Sequence, residues 1–573
     1  MKKHWKLREL GKSTSGQLGH EVQIHPLVAA ILARRGVVHA DDLRSFLSPL
    51  LSEMLDPRLL RGMSTAVERL LTARRNKETV FIYGDYDVDG ISGTSLLVSF
   101  LRSTGYVCEY FIPNRFDDGY GLNPDSIERI IALGANLIIS VDCGITAVDE
   151  AVLCRTRGVD LIIVDHHVPK HVIPDACAVI NPLQPDCRYP FKSLAGVGVA
   201  FNLLVALRSS LREVGAFTDK VVPDLREWLD LVSLGTIADV VPLVGQNRIY
   251  AFHGLKQLSR SQKPGVLALK RVAGITGDVT CGQVGFRLAP RLNAAGRMES
   301  AVPGVDLLLS EDDRECQMIA ADLEAANAER QDIERRIFEE AATMIHSANN
   351  ASDRRSIVLA STTWHQGVVG IVASRLVERY HRPTILIALT EDGCGKGSGR
   401  SIPGFHLLDA LSACSQHLER FGGHRYAAGV TLRGDQVAEF AESFEAVAAR
   451  MLTDADLTPT LEIDAEVCPA EVTKELAMEL KRLEPFGAGN PEPVLLMRAM
   501  TVIERRVVGE GHMRLRLARE KCSFTAIAFR MADREISGLV DIAFFPEINE
   551  WKGSSSVQLR IKDLRPAESN NAT

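Results

Sequence analysis

Three apolar strands in the first half of the chain each end on acidic or imidazole side chains, and this recurrence limits the fold more than any other feature. Val80 to Tyr83 runs into Gly84-Asp85-Tyr86-Asp87-Val88-Asp89-Gly90, after which Leu96, Leu97, Phe100 and Leu101 recur at helical spacing. Leu137 to Val141 ends on Asp142-Cys143-Gly144, and Leu161 to Val164 ends on Asp165-His166-His167. Apolar strands alternating with helices predict βαβ units and a parallel sheet. Ligands of an open α/β sheet bind beyond the carboxyl ends of its strands, so the three clusters are expected along one edge. One Asp after a strand is ordinary helix-capping chemistry. Three such ends ask for more. A dinucleotide-binding domain is excluded, because no GxGxxG follows the first strand and carboxylates there would repel a pyrophosphate.

The rest of the chain divides by pattern. Residues 1–75 read as a helical N-terminal region, with helical spacing at Val28, Ala29, Ile31 and Leu32 and again at Leu43, Phe46 and Leu47. Residues 76–270 form the first α/β domain and 271–350 a connector. Within the connector, Ser310-Glu311-Asp312-Asp313 is a helix start, and Ile319, Leu323, Ala326, Ile333, Ile337, Ala341 and Met344 keep a three-four spacing. The opposite face, with Glu324, Glu329, Arg330, Asp332, Glu334 and Arg335, is expected in solvent. Residues 351–453 repeat the α/β grammar from Ser356 onwards. Residues 454–573 alternate as short strands, which suggests a small barrel or sandwich followed by a polar tail.

Composition narrows the function. With 66 basic and 73 acidic residues the net charge is −7, which excludes indiscriminate coating of nucleic acid. Positive charge must be local, and Arg505, Arg506, Arg514, Arg516, Arg519 and Lys521 form such a run. None of the eleven cysteines forms a CxxC pair, which argues against a zinc ribbon. The N-terminal lysines have no apolar run behind them, and no long uncharged apolar stretch occurs, so neither a secretory signal nor a membrane span is expected.

Asp85, Asp87 and Asp89 alternate along one segment and, with Asp142, Asp165, His166, His167 and Asp239, make an oxygen-rich set with imidazole. Close carboxylates cannot all stay ionised in a dry site without a counter-charge. Two divalent ions, Mg²⁺ or Mn²⁺, suit these donors.

In order, Gly84 to Gly90, Val141-Asp142-Cys143-Gly144, Asp165-His166-His167 and Gly235-Thr236-Ile237-Ala238-Asp239 resemble the four motifs of the DHH phosphoesterase superfamily. Gly422-Gly423-His424 with Ala427-Ala428-Gly429 resembles the glycine-rich motif of its DHHA1 domain. Arg291-Leu292-Asn293-Ala294-Ala295-Gly296-Arg297 and Gly397-Ser398-Gly399-Arg400-Ser401 extend the likeness, which runs over residues 30 to 565, to the superfamily's single-stranded-DNA exonucleases. The resemblance implies a DHH domain with a mainly parallel sheet, a long helix, a DHHA1 domain with a mixed sheet and a C-terminal β-barrel of OB type.

It also implies roles. Asp85, Asp87, Asp89, Asp142, His166, His167 and Asp239 are the expected catalytic set. Asp142 bridges two ions, and Asp87, Asp89, His166 and Asp239 complete the ligands. Related branches carry a histidine where this chain has Tyr83, and Asp85 is the expected substitute. His167 is expected to contact the scissile phosphate or complete a ligand set, and Asp165 to orient a histidine. Arg115, Arg291, Arg297, Ser398, Arg400 and His424 are expected on the substrate. A structural ion pair is the bland alternative for each Arg, as a turn is for His424. Trp364-His365-Gln366-Gly367 opens a helix whose N-terminus suits phosphate, or else buries a core Trp. Among the barrel aromatics Phe524, Phe529, Phe544, Phe545 and Trp551, core packing is the first expectation and base stacking the second.

The implied activity is a 5′→3′ exonuclease that releases 5′-mononucleotides from single-stranded DNA in recombination and repair. Implied partners are single-stranded DNA-binding protein and a RecQ-type helicase. The expectation is a monomer in the bacterial cytoplasm, associated with the nucleoid and with no membrane. Two alternatives stand beside it. A DHH phosphodiesterase acting on nano-RNA or cyclic dinucleotides fits less well, because more than 100 residues follow the DHHA1 motif. A non-catalytic replication scaffold fits less well, because such relatives lose the ligands that this chain keeps.

Overall fold

The computed structural model describes residues 3–8, 21–115, 117–218, 221–347, 354–534, 536, 538–551 and 553–567. The first α/β domain is built on five parallel strands in the order Val107–Phe111, Thr79–Gly84, Leu137–Val141, Asp160–Val164 and Ala178–Ile180. The three strands expected from sequence are its centre. Val107–Phe111 and Ala178–Ile180 flank them and complete the sheet. Successive side chains point to opposite faces. Val80, Ile82, Ile139 and Val164 pack under the helices Val88–Ser103, Gly196–Glu213 and Leu229–Ala238. Phe81, Tyr83, Ile138 and Ile163 pack on Ile127, Ile130, Ala151 and Cys154 of the other face. Both faces are covered, which is why these strands read as unbroken apolar runs.

A 35-residue helix, Asp313–Ser347, leaves this domain and spans roughly 50 Å at 1.5 Å per residue. Its first half gives Cys316, Ala320 and Leu323 to the first domain's core. Its second half gives Ile337 and Ala341 to a core with Trp364, Val368, Val372 and Leu376. Arg330 and Glu334 correct the expectation of a wholly solvated charged face. Each is 8 % exposed, because the helix Val369–Tyr380 packs there and Arg375 reaches Glu334 at 2.9 Å. The second domain has a mixed sheet in the order Arg420–Gly423, Ala427–Arg433, Cys394–Arg400, Thr384–Leu389 and Ile357–Ser361, with only the last pair parallel.

The C-terminal strands close a barrel. Leu495–Val508, His512–Arg519, Cys522–Ala528, Ser554–Pro566 and Leu539–Trp551 pair in that order, and the last returns to the first. Phe524, Phe544 and Phe545 lie in its core, whereas Phe529 is 50 % exposed. The Trp551 side chain lies outside the described residues, as do residues 9–20 of the N-terminal region and the tail from 568.

The N-terminal region is not only helical. His4–Leu7 is a strand that pairs in parallel with Thr460–Ile463. The helices Pro26–Arg34 and Ala40–Leu47 bury Val28, Ile31, Leu32 and Leu43 in the barrel's core cluster. The two chain ends therefore form one unit. No helix among the described residues is long and apolar enough to cross a membrane.

Trp5 fastens that strand. Its indole N–H donates to buried Asp563 at 2.8 Å, and the Arg565 guanidinium lies 4.5 Å from its ring. Trp5→Ala is expected to cost about 2 kcal/mol locally, the scale of a hydrogen bond to a charged group. The readout is faster amide exchange in Thr460–Ile463 with unchanged exchange in the parallel sheet.

Candidate active site

The parallel sheet reverses its winding between Thr79–Gly84 and Leu137–Val141, and a crevice opens at their carboxyl ends. Asp85 leaves the first of these strands and Asp142 leaves the second, in a left-handed conformation at φ 64°. Asp165, His166 and His167 leave the next strand. Asp239 ends the helix Leu229–Ala238.

Local structure explains each placement. Asp87 is the N-cap of Val88–Ser103 and accepts from the N–H of Asp89 at 2.9 Å and of Gly90 at 3.3 Å. The capping role and a place in the crevice are thus held by one carboxylate. Asp89 accepts from the backbone of Gly196 at 2.6 Å and of Val197 at 2.9 Å, at the start of Gly196–Glu213. Sequence reasoning missed these donors, whose signal was a run of small residues, Ala195-Gly196-Val197-Gly198, opening a helix. Glycine is required at this contact, since a Cβ at Gly196 would sit 2.8 Å from the Asp142 carboxylate and one at Gly235 2.8 Å from that of Asp89. Asp165 accepts from the N–H groups of Ile145 at 2.9 Å, His166 at 2.7 Å and His167 at 3.1 Å, and lies 2.8 Å from His167 Nδ1.

The side chains converge. His166 Nε2 stands 3.1 Å from Asp142, 3.6 Å from Asp239 and 3.9 Å from Asp89. Three overlapping groups each bring ligand atoms within 4.8 Å of one another: Asp85–Asp87–Asp142, Asp89–His166–Asp239 and Asp142–His166–His167. Asp142 and His166 each belong to two groups. Tyr83 takes no part. It is fully buried, and its hydroxyl donates to Gly121 O at 2.9 Å. Asp85 instead joins Asp87 and Asp142.

Burial, and then the neighbouring Asp87, pushes the Asp89 carboxyl up to about 7. Burial, and then Asp89, pushes Asp239 up to about 9 and Asp142 well above its ordinary range. Burial lowers His166 to about 4, so its imidazole is neutral and can be a ligand. Burial alone would lower His167 as well, but the hydrogen bond and charge of Asp165 carry it up to about 9. Asp85 Oδ1, Asp142 Oδ1 and His166 Nε2 are buried without hydrogen-bond partners. Orphaned acceptors in an oxygen-rich set with a neutral imidazole fit divalent ions of the Mg²⁺ and Mn²⁺ kind.

A second cluster lies within electrostatic reach of this one, through Arg297 and Asp87. Arg400 donates to Ser398 Oγ at 2.9 Å and Gly399 O at 2.8 Å. Both side chains lie against the first turn of Val369–Tyr380, where a Cβ at Gly370 would meet Ser398 Oγ at 2.8 Å and the Arg400 guanidinium at 3.3 Å. Arg297 donates to Gly367 O at 3.4 Å, and burial and then Arg115 lower it to about 10, with Asp87, Arg330 and Arg400 also in electrostatic reach. Arg115 lies 5.1 Å from the Tyr86 ring. Among the described residues the close partners of these three Arg are carbonyls, a hydroxyl and a ring, while Asp87 and Asp85 act on Arg297 and Arg115 only from farther off. Trp364 is a core side chain, 5 % exposed. Arg291 stands apart: its guanidinium pairs with Glu324 of the long helix and donates to Arg287 O at 2.6 Å. His424 is exposed in the turn between two strands, where its N–H donates to Ala427 O at 2.7 Å. Tyr120, which sequence reasoning did not select, brings its hydroxyl to 3.2 Å from the His167 ring and 3.4 Å from Asp142 O.

Comparison with known proteins agrees with this layout. The family model for the DHH family N-terminal domain matches residues 79–236, that for the DHHA1 domain 354–450 and that for the RecJ OB domain 463–563. The single-stranded-DNA-specific exonuclease RecJ of Bacillus subtilis is 38 % identical over 99 % of this chain and 71 % of its own length. The Escherichia coli protein of that name is 38 % identical over 95 % of this chain and 96 % of its own. The crystal structure of Thermus thermophilus RecJ in complex with Mn²⁺ superposes with a TM-score of 0.84 at 32 % identity, covering 99 % of this chain and 80 % of that one. A DHH domain, a DHHA1 domain and an OB barrel in this order and at this identity mean that the chain belongs to the RecJ family of the DHH superfamily.

Proposed function

We propose that this chain is a metal-dependent 5′→3′ exonuclease that hydrolyses single-stranded DNA to 5′-mononucleotides in recombination and repair. The observation that carries the reading is the pairing of two unlike clusters within electrostatic reach of each other. One is rich in carboxylates with orphaned oxygens, and the other holds three Arg with no carboxylate among their close partners. Half-buried cations with no carboxylate at ion-pair distance suit an anion, and a helix N-terminus beside Ser398 and Arg400 suits a phosphate.

In this reading Asp85, Asp87, Asp89, Asp142, His166 and Asp239 would hold two divalent ions, Asp142 being within reach of two of the ligand groups. When bound, such ions would supply a lowered water pKa and offset charge on the phosphodiester. Asp165 orients His167, whose side chain is 34 % exposed at the mouth of the cluster and reaches the scissile phosphate. Ser398, Arg400, Arg297 and Arg115 hold the terminal phosphate, so that the first phosphodiester meets the carboxylates. His424 approaches from the turn of the mixed sheet. Beyond the cleft, Arg506, Arg514, Arg516 and Thr525 line a cavity of about 310 Å³ on the barrel, with Glu504 at its side. That surface suits the phosphates of a following strand, with exposed Phe529 as a stacking ring. Single-stranded DNA-binding protein and a RecQ-type helicase are proposed as partners that present free ends. A cytoplasmic monomer is the proposed state.

Polarity is tested with end-labelled oligonucleotides and Mn²⁺. A 5′ label is expected to leave as mononucleotide in the first turnovers, while a 3′ label stays on shortening strands. Asp142→Ala is expected to slow hydrolysis about 1000-fold, a loss of roughly 4 kcal/mol of transition-state stabilisation. Arg400→Ala is expected to reduce the preference for a 5′-phosphate over a 5′-hydroxyl by about 10- to 100-fold, the value of charge-assisted hydrogen bonds. Earlier loss of the 3′ label would overturn the polarity.

The charge of the ligand set gives a second test. In the metal-free protein Asp89 and Asp239 bind protons more tightly when folded than when unfolded, up to about 7 and about 9 respectively. The folded state then holds more protons than the unfolded one, so stability falls as pH rises from about 4 through those values. With EDTA, thermal stability is expected to drop between pH 5 and pH 9. Asp239→Asn is expected to flatten the drop, and Mn²⁺ to restore more stability at pH 8 than at pH 5.

A further inference from the structure

Beyond Asp239 the chain is pinned by a turn from the far end of the sequence. Val240 adopts φ 59°, a left-handed conformation that a β-branched residue enters only under constraint. Its side chain is 70 % exposed, so its own packing is not the constraint. The residues after it are held tightly. Leu243 N donates to Ala488 O at 2.7 Å. A Cβ at Gly489 would stand 2.9 Å from Pro242 Cβ, and one at Gly487 2.7 Å from Leu243 Cδ1. Gly489 is also left-handed, at φ 71°.

The turn that grips this segment is stiff. Gly487 and Asn490 exchange backbone hydrogen bonds of 2.9 and 3.1 Å. Asn490 is fully buried, donates to Leu483 O and Pro485 O at 2.9 Å each, and accepts from Arg35. The turn is also clamped to the first domain. Arg248 is 2 % exposed, donates to Glu484 O at 2.7 Å and Phe46 O at 2.8 Å, and stacks 3.8 Å from the Phe46 ring. On its other side the turn leads into the first barrel strand, Leu495–Val508.

We infer that the turn of residues 484–490 is a positioning element for Asp239. Seating of the barrel on the DHH domain fixes Pro242 and Leu243, holds Val240 in its strained conformation, and so sets where the Asp239 carboxylate stands opposite His166. The inference rests on the reading of Asp239 as a metal ligand. It makes Gly487, Gly489 and Leu243 residues of the metal centre's support, although none of them belongs to its ligand groups. It also ties occupancy of that centre to an interdomain contact and not only to the DHH domain's own fold.

The test is Mn²⁺ binding to the full chain by calorimetry, without DNA, for wild type, Gly489→Ala, Leu243→Ala and Asp239→Asn. Gly489→Ala puts a methyl group against Pro242, and Leu243→Ala removes the side chain packed against Gly487 without adding bulk, leaving the backbone bond to Ala488 O in place. Both are expected to weaken Mn²⁺ binding about 10-fold, the usual effect of losing a ligand's supporting contacts. Both are expected to lower kcat at limiting Mn²⁺, to regain it at saturating Mn²⁺, and to leave KM for the strand unchanged. If Gly489→Ala fails to fold, Leu243→Ala carries the same expectation. Wild-type Mn²⁺ affinity in a folded variant, with binding weakened in Asp239→Asn, overturns the positioning role alone. Wild-type affinity in Asp239→Asn overturns the ligand reading and the inference with it.

Discussion

Carboxylates buried within a few ångströms of one another repel, and the rest of the structure depends on how that repulsion is met. The protein answers it for some and not for others. Asp89 receives two backbone N–H groups at a helix start, and Asp165 receives three backbone N–H groups and an imidazole. Each such charge-assisted bond contributes about 1.5–3 kcal/mol toward keeping the charge. Asp85 and Asp142 keep a buried oxygen with no donor. Protein donors therefore fix the frame of the cluster, and its centre is left to cations. Glycines make the approach possible: at Gly90, Gly196 and Gly235 a single methyl group would strike the backbone or the carboxylate of Asp85, Asp142 or Asp89. The acidic loops and the small residues opposite them are one device.

That division also explains what could be read from sequence. The strand ends were legible because a strand's last residue and the loop after it have a fixed place on the sheet edge, whatever the strand order. The long helix was legible because its apolar stripe keeps one period through two domain cores. Backbone donors leave no letter in a sequence, so Gly196 and Val197 were not found. Val107–Phe111 was missed because Glu109 breaks its apolar run, and Ala178–Ile180 because it is three residues long. The pairing of His4–Leu7 with Thr460–Ile463 joins segments more than 450 residues apart, which no local pattern encodes. Arg330 and Glu334 read as solvated because sequence shows charge and not the Arg375 that covers it. Arg291 and Arg297 share one motif, yet the first is engaged by Glu324 and the second has Arg115, Asp87 and Arg400 in electrostatic reach.

The long helix does more than connect. Arg330 bonds Glu334 at 2.6 Å and Asn327 at 2.8 Å, and Glu334 in turn holds Arg375 of the helix Val369–Tyr380. The N-terminus of that second helix is where Ser398 and Arg400 gather. A buried ion-pair network of this kind adds little net stability but penalises any other register strongly, since a shift would strand a charge. It fixes the register of the long helix against the helix Val369–Tyr380. In the proposed reading, an anion pocket at a set distance from a hydrolytic centre would act on the first linkage of a strand and on no other, so end-specificity would need no further recognition of sequence. The net charge of −7 is then no obstacle. Part of the negative charge sits in the carboxylate cluster, where cations offset it, and part of the positive charge at Arg115, Arg297 and Arg400 and along the barrel at Arg506, Arg514 and Arg516.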